Sequence, residues 1–148
     1  MLILRPHHLF CIKWFVGNGY SPEFTKNMYK IIEKLNKPQS QAIITLDSDD
    51  ICLKCPNMTP NKICTAYEKV SCMDSKIIKY FSLSLGKPYK YSYLHNKIEL
   101  SLTDKIIKEV CQDCQWFSLN LCWGMIKCWY YLKNRMGANK CYLTKWKN

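Results

Sequence analysis

Cys52 and Cys55 are separated by two residues, and Cys64 follows after a short loop. Two thiolates on one tight turn can reach the same metal, and a third can return to it across such a loop. The device recurs at Cys111 and Cys114, with Cys122 after a loop of similar length. Each copy reads acidic, apolar, Cys, two residues, Cys (Asp50-Ile51-Cys52 and Glu109-Val110-Cys111), then a later Cys. One triplet could be chance or a redox pair. Two point to a metal-binding protein with a pseudo-repeat at 52–64 and 111–122.

Six thiols in two triplets leave the fourth ligands open. One solution is local, with Cys72 completing the first set and Cys128 the second. Another takes Cys11 and a histidine from the N-terminal segment. A third builds one site from the two Cys-x-x-Cys pairs, but the gap between them far exceeds the ~15–20 residues of a zinc ribbon. Zinc suits any of these arrangements. Iron–sulfur clusters also use Cys-x-x-Cys, and Cys55-Pro56 echoes the Cys-Pro that ends ferredoxin-type runs.

The elements that must position these residues follow from pattern. Pro6 fits the first turn of a helix that Gly17-Asn18-Gly19 stops. On it His7 and His8 share a face with Cys11, while Leu9, Phe10, Ile12, Trp14, Phe15 and Val16 make it apolar nearly all round and therefore buried. Its imidazoles either bond to backbone carbonyls or serve a site, with Arg5, His7 and His8 the candidate catalytic residues. Ser21, Pro22 and Glu23 open a second helix, whose Phe24, Met28, Ile31, Ile32 and Leu35 trace a packing face.

Ala42-Ile43-Ile44-Thr45-Leu46 reads as a short strand leading to the acidic turn before Cys52. A short helix is expected to end near Cys72. Asp74 or Ser75 would cap the next one, with Ile77, Ile78, Phe81 and Leu85 inward and Gly86 as its stop. Tyr89, Tyr91 and Tyr93 alternate as on an extended segment. Ser101-Leu102-Thr103-Asp104 opens a helix aimed at Cys111, and a last helix is expected over residues 120–136. The fold class is thus mainly α: one small domain, 1–148, of five to six helices with at most a short strand pair, organised around Cys-rich metal sites.

Composition narrows the setting. The 148 residues are 48% hydrophobic and include ten Cys, five Trp and ten Tyr, enough for a packed core. Ten Cys could staple a secreted protein, but Arg5-Pro6-His7-His8 cuts short the apolar start, leaving no signal-peptide core, and no run approaches a membrane span. Cytoplasmic, reduced thiols are the expectation, and clustered Cys there more often bind metal. All but Arg5 and Arg135 of the 22 basic residues are Lys, spread along the chain, so the net charge of +11 speaks only weakly for nucleic acid. Two four-thiolate divalent centres would lower it to roughly +7.

Taken together, Arg5-Pro6-His7-His8-Leu9 with Cys11, Gly17-Asn18-Gly19-Tyr20-Ser21, Asp49-Asp50-Ile51-Cys52 with Cys55-Pro56-Asn57, and Cys111, Cys114, Trp116 and Cys122 resemble a prokaryotic family, domain of unknown function 1284, over roughly residues 3–123. The resemblance implies a small cytoplasmic protein suspected of binding iron–sulfur clusters. It implies as ligands Cys11, Cys52, Cys55, Cys64, Cys111, Cys114 and Cys122, with His7 and His8 beside them; Cys72, Cys128 and Cys141 fall outside it.

The expected cofactor is one or two 4Fe-4S clusters, with Cys11 joining one triplet and His7 or His8 the other. A redox partner or small-molecule substrate would follow. The alternative is a zinc-stabilised structural or nucleic-acid-binding module.

Overall fold

The computed structural model describes residues 1–118 together with Cys122. Among these, six α-helices surround a three-stranded sheet, and the protein is mainly α. The strands are β1 (Leu2–Leu4), β2 (Gln41–Ile44) and β3 (Pro88–Lys90), in that spatial order. β1 runs parallel to β2, with Leu4 opposite Ile44, and β3 is antiparallel to β2, with Tyr89 opposite Ala42. The parallel pair requires a crossover, which helices α1 (Pro6–Trp14) and α2 (Pro22–Leu35) supply. The sheet has one strand more than the expected pair. β1 and β3 are three residues each, too short to show alternation, and only pairing with β2 makes them strands.

α1 begins at Pro6 as expected and packs against α3 (Tyr67–Phe81). Leu9, Phe10, Ile12 and Trp14 are buried along it, and the ring of Phe10 meets that of Phe81 edge-on. Fully burying a Leu, Ile or Phe contributes about 1.5–3 kcal/mol, so this pairing anchors the N-terminal segment. α2 matches its sequence reading: the Ser21 hydroxyl accepts from Phe24 N at 3.1 Å, and Phe24, Met28, Ile31, Ile32 and Leu35 are buried. Gly19 is required where the chain enters α2, because a Cβ there would lie 2.7 Å from the Phe24 ring.

α3 departs from expectation. In place of two short helices meeting near Asp74, one helix runs through it and ends at Ser82 in the left-handed region, with Leu85 exposed beyond. Asp74 caps nothing: its carboxylate is buried and engaged by α1. Pro88–Lys90 is extended, but the chain turns helical at Tyr91 and continues as α4 (Tyr91–Ser101). Thr103 caps α5 (Asp104–Cys111) by accepting from Ile106 N, and α5 ends on Cys111 as the sequence implied. α6 (Gln115–Ser118) follows at once. Apart from Cys122, the helix expected over residues 120–136 lies outside the described residues, as do Cys128 and Cys141.

Candidate metal centre

The first thiol triplet sits on a turn and a loop closed by backbone hydrogen bonds. Cys52–Lys54 forms a single 3-10 turn in which Cys55 N donates to Cys52 O at 3.0 Å. The loop returns through Thr59 N to Ile63 O at 2.9 Å and Thr65 N to Asn57 O at 2.8 Å, which carries Cys64 back beside the pair. The second triplet begins at the C-terminus of α5, where Cys114 N donates to Cys111 O at 2.8 Å. All eight described cysteines are free thiols.

A cavity of about 100 Å³ joins these thiols to α1. Cys52, Cys55 and Cys64 line it from one side, Cys114 and Trp116 from another, and Arg5, His7, His8 and Cys11 from α1 and the residue before it. A smaller cavity of about 20 Å³ is bordered by Cys11, Cys111, Cys114 and Cys122, with Phe10, Trp14 and Phe117 among its apolar walls. Every cysteine of the two triplets, together with Cys11 and both histidines, therefore borders one cavity or both. Cys72 is exposed on α3 and borders neither.

Two buried carboxylates hold the histidines. Asp49 Oδ2 accepts from Arg5 N at 2.6 Å and from His8 Nδ1 at 2.6 Å, while its Oδ1 accepts from Ile51 N at 3.0 Å and Cys52 N at 2.9 Å. One side chain thus ties the start of α1 to the cysteine turn. Asp74 does the same from α3: its Oδ2 accepts from Arg5 Nε and Nη2 at 2.9 and 2.6 Å, and its Oδ1 from His7 N and Nδ1. Each ring spends Nδ1 on a carboxylate, which leaves Nε2 as its remaining nitrogen. Histidines that ligate metals are usually oriented by this kind of carboxylate partner.

Electrostatics follow from burial. Desolvation opposes the charge on Asp49, yet the His8 partner and the Arg5 and Cys52 backbone N–H groups hold it well below the usual carboxylate range. Asp74 is likewise held low against its burial by the hydrogen bonds of His7 and by Arg5. Burial, with His8 adjacent, lowers His7 to about 4, so its ring is neutral at neutral pH. The thiols move the other way. Burial and the neighbouring Cys114, Cys122 and Cys111 push Cys11 well up, while burial takes Cys52, Cys111 and Cys122 to about 12. A bound cation reverses this preference, because thiolates are the ligand form.

His8, Asp49 and Cys52 form a group whose ligand atoms all lie within 4.8 Å of one another and could hold a metal ion. Both oxygens of Asp49 already accept two hydrogen bonds each, so its part is to orient His8 and Cys52. Among the described residues, no three cysteine sulfurs are that close together.

Sequence reasoning located the cysteines and both histidines but missed Asp74 as a site residue and read Asp49 only as part of an acidic turn. The Asp49-Asp50 pair before Ile51-Cys52 was the available signal for Asp49. Asp74 gave none, since its partners lie on another helix. Among the described residues, no helix is long and apolar enough to cross a membrane.

No curated protein and no solved structure matches the chain. A family model does match, over residues 19–122, a span that holds both cysteine triplets and both carboxylates while α1 precedes it. That span is more than half of the sequence, and the chain belongs to the family described as protein of unknown function DUF1284.

Proposed function

We propose that this chain is an iron–sulfur protein whose cluster is held in the cavity between α1 and the Cys52–Cys64 loop. The observation that carries the reading is the convergence of Cys52, Cys55 and Cys64 with Cys11, His7 and His8 on one cavity. Among the described residues no three cysteine sulfurs lie within 4.8 Å of one another, which suits a cluster better than a single ion. Four thiolates around one zinc, at about 2.3 Å each, stand roughly 3.8 Å apart, whereas a cluster's ligands bind different irons. Such a group, when bound, supplies a site that accepts and returns an electron.

The chain's own residues have distinct tasks. Cys52, Cys55 and Cys64 ligate, and His8, held by Asp49, offers Nε2 as the fourth ligand. Arg5 is neutralised by Asp74, and it fixes that carboxylate against His7. Trp116, Phe24 and Met73 limit water. The physiological role is electron transfer or a cluster-dependent reaction on a small molecule.

A zinc-stabilised module is the second reading, favoured by the close His8, Asp49 and Cys52 group. Anaerobic purification from cells supplied with both metals separates the two. Brown protein with iron and acid-labile sulfide in similar amounts supports the cluster; colourless protein with stoichiometric zinc and no sulfide replaces it.

A further inference from the structure

The two cavities meet at α1. Cys11 and Cys114 border both of them, so the wall between the two thiol sets is one side chain thick. Each set is nevertheless complete without the other's triplet. The larger cavity has Cys52, Cys55 and Cys64 with His8 beside Cys52, and the smaller has Cys111, Cys114 and Cys122 with Cys11.

We infer that the chain holds two metal centres as an adjacent pair, one on each side of the Cys11–Cys114 wall. The inference rests on the iron–sulfur reading above and adds to it the number of centres, their contact and their order of reduction.

The surroundings of the two sets differ in a way that sets that order. Lys69, Asn57 and Gln115 line the larger cavity, and cationic and polar groups favour the added negative charge of a reduced centre. The smaller cavity is walled by Phe10, Trp14, Met73, Trp116 and Phe117 with no charged side chain, which disfavours it. The centre at Cys52, Cys55 and Cys64 therefore takes the first electron and the enclosed one the second. Each step adds one electron from an external one-electron donor, with no bond made or broken. Together the pair stores two.

The test is electron paramagnetic resonance during stepwise reduction by dithionite of the anaerobically loaded full chain, with iron and sulfide measured on the same samples. Cys64→Ser and Cys122→Ser each remove a ligand from one set only. The wild type should show one simple signal early in reduction and a broadened, interaction-split signal once fully reduced. Each variant should retain about half the iron and show an unsplit signal throughout, with the early-reducing one missing from Cys64→Ser. Should one variant fail to fold by circular dichroism, the other carries the comparison, since each abolishes the splitting. A fully reduced spectrum without interaction splitting overturns the adjacency. Loss of all iron from either variant overturns the pair in favour of a single shared centre. Sulfide-free protein without iron defeats the iron–sulfur reading itself and this inference with it.

Discussion

His7 is joined twice to the same oxygen of Asp74: its backbone N–H and its ring Nδ1 both reach Oδ1 at 2.8 Å. The other oxygen is occupied by the Arg5 guanidinium. A carboxylate in the middle of α3 thus satisfies the first turn of α1, neutralises the arginine before it and fixes a ring that lines the cavity.

The first prediction concerns that carboxylate. Asp74→Asn keeps the shape but leaves Arg5 buried without its counter-charge, and breaking a buried pair from one side costs about 3–5 kcal/mol. Urea denaturation should show a loss of that order. The double change Arg5→Met with Asp74→Leu should cost clearly less, since no charge is stranded. Equal losses for single and double variants would mean the pair's charge is not what matters.

Acidification gives the second. The His7 pKa is lowered from 6.5 to about 4 in the folded state, so between these values the unfolded chain binds the extra proton and stability falls as pH drops. Asp49 and Asp74 act in the same direction at lower pH, because their stabilising charge is present above the ordinary 3.8 and lost as pH falls through their depressed values. Unfolding midpoints measured from pH 7 to pH 4 should decline, and His7→Gln should flatten the upper part of that decline. A midpoint that rises on acidification would contradict a neutral, buried His7.

A third prediction separates orientation from packing at Asp49. Asp49→Asn turns an amide NH2 toward donors that now share Oδ2, or strands those on Oδ1, and each unmet buried group costs about 1–3 kcal/mol. The bound metal should show an altered spectrum at unchanged iron content. If the spectrum is unaltered, His8 is a packing residue.

Cysteine substitutions supply the fourth. Cys72 is exposed and borders neither cavity, so Cys72→Ala should leave metal content and melting temperature unchanged. Cys55→Ala should lose the iron of its own set, about half the total, and melting temperature together, because metal binding is coupled to folding. Metal loss from Cys72→Ala matching that from Cys55→Ala would restore the local four-cysteine solution.

How much of this was legible in the sequence depended on how local each cause is. The Ser21 cap, the apolar face of α2, the Pro6 start of α1 and the end of α5 at Cys111 each follow from residues within a few positions of one another, and all stand as read. Where the cause is distant, the reading failed. Asp74 looked like a cap because Asp commonly is one, whereas its actual partners, Arg5 and His7, lie on another part of the chain. β1 and β3 likewise owe their extended form to β2. For the site, residue types and spacing marked the thiols and imidazoles. The orienting roles of the carboxylates became visible only once α1 was packed against α3, for Asp74, and against the turn before Cys52, for Asp49.

X-ray absorption at the metal edge of the anaerobically prepared protein tests the central claim most directly, because it reads the neighbours of the metal. An iron site with sulfur dominating its first shell and a second iron beyond it is the expected result. A zinc site, or an iron site surrounded by nitrogen and oxygen with no metal neighbour, would contradict a cluster held by these cysteines.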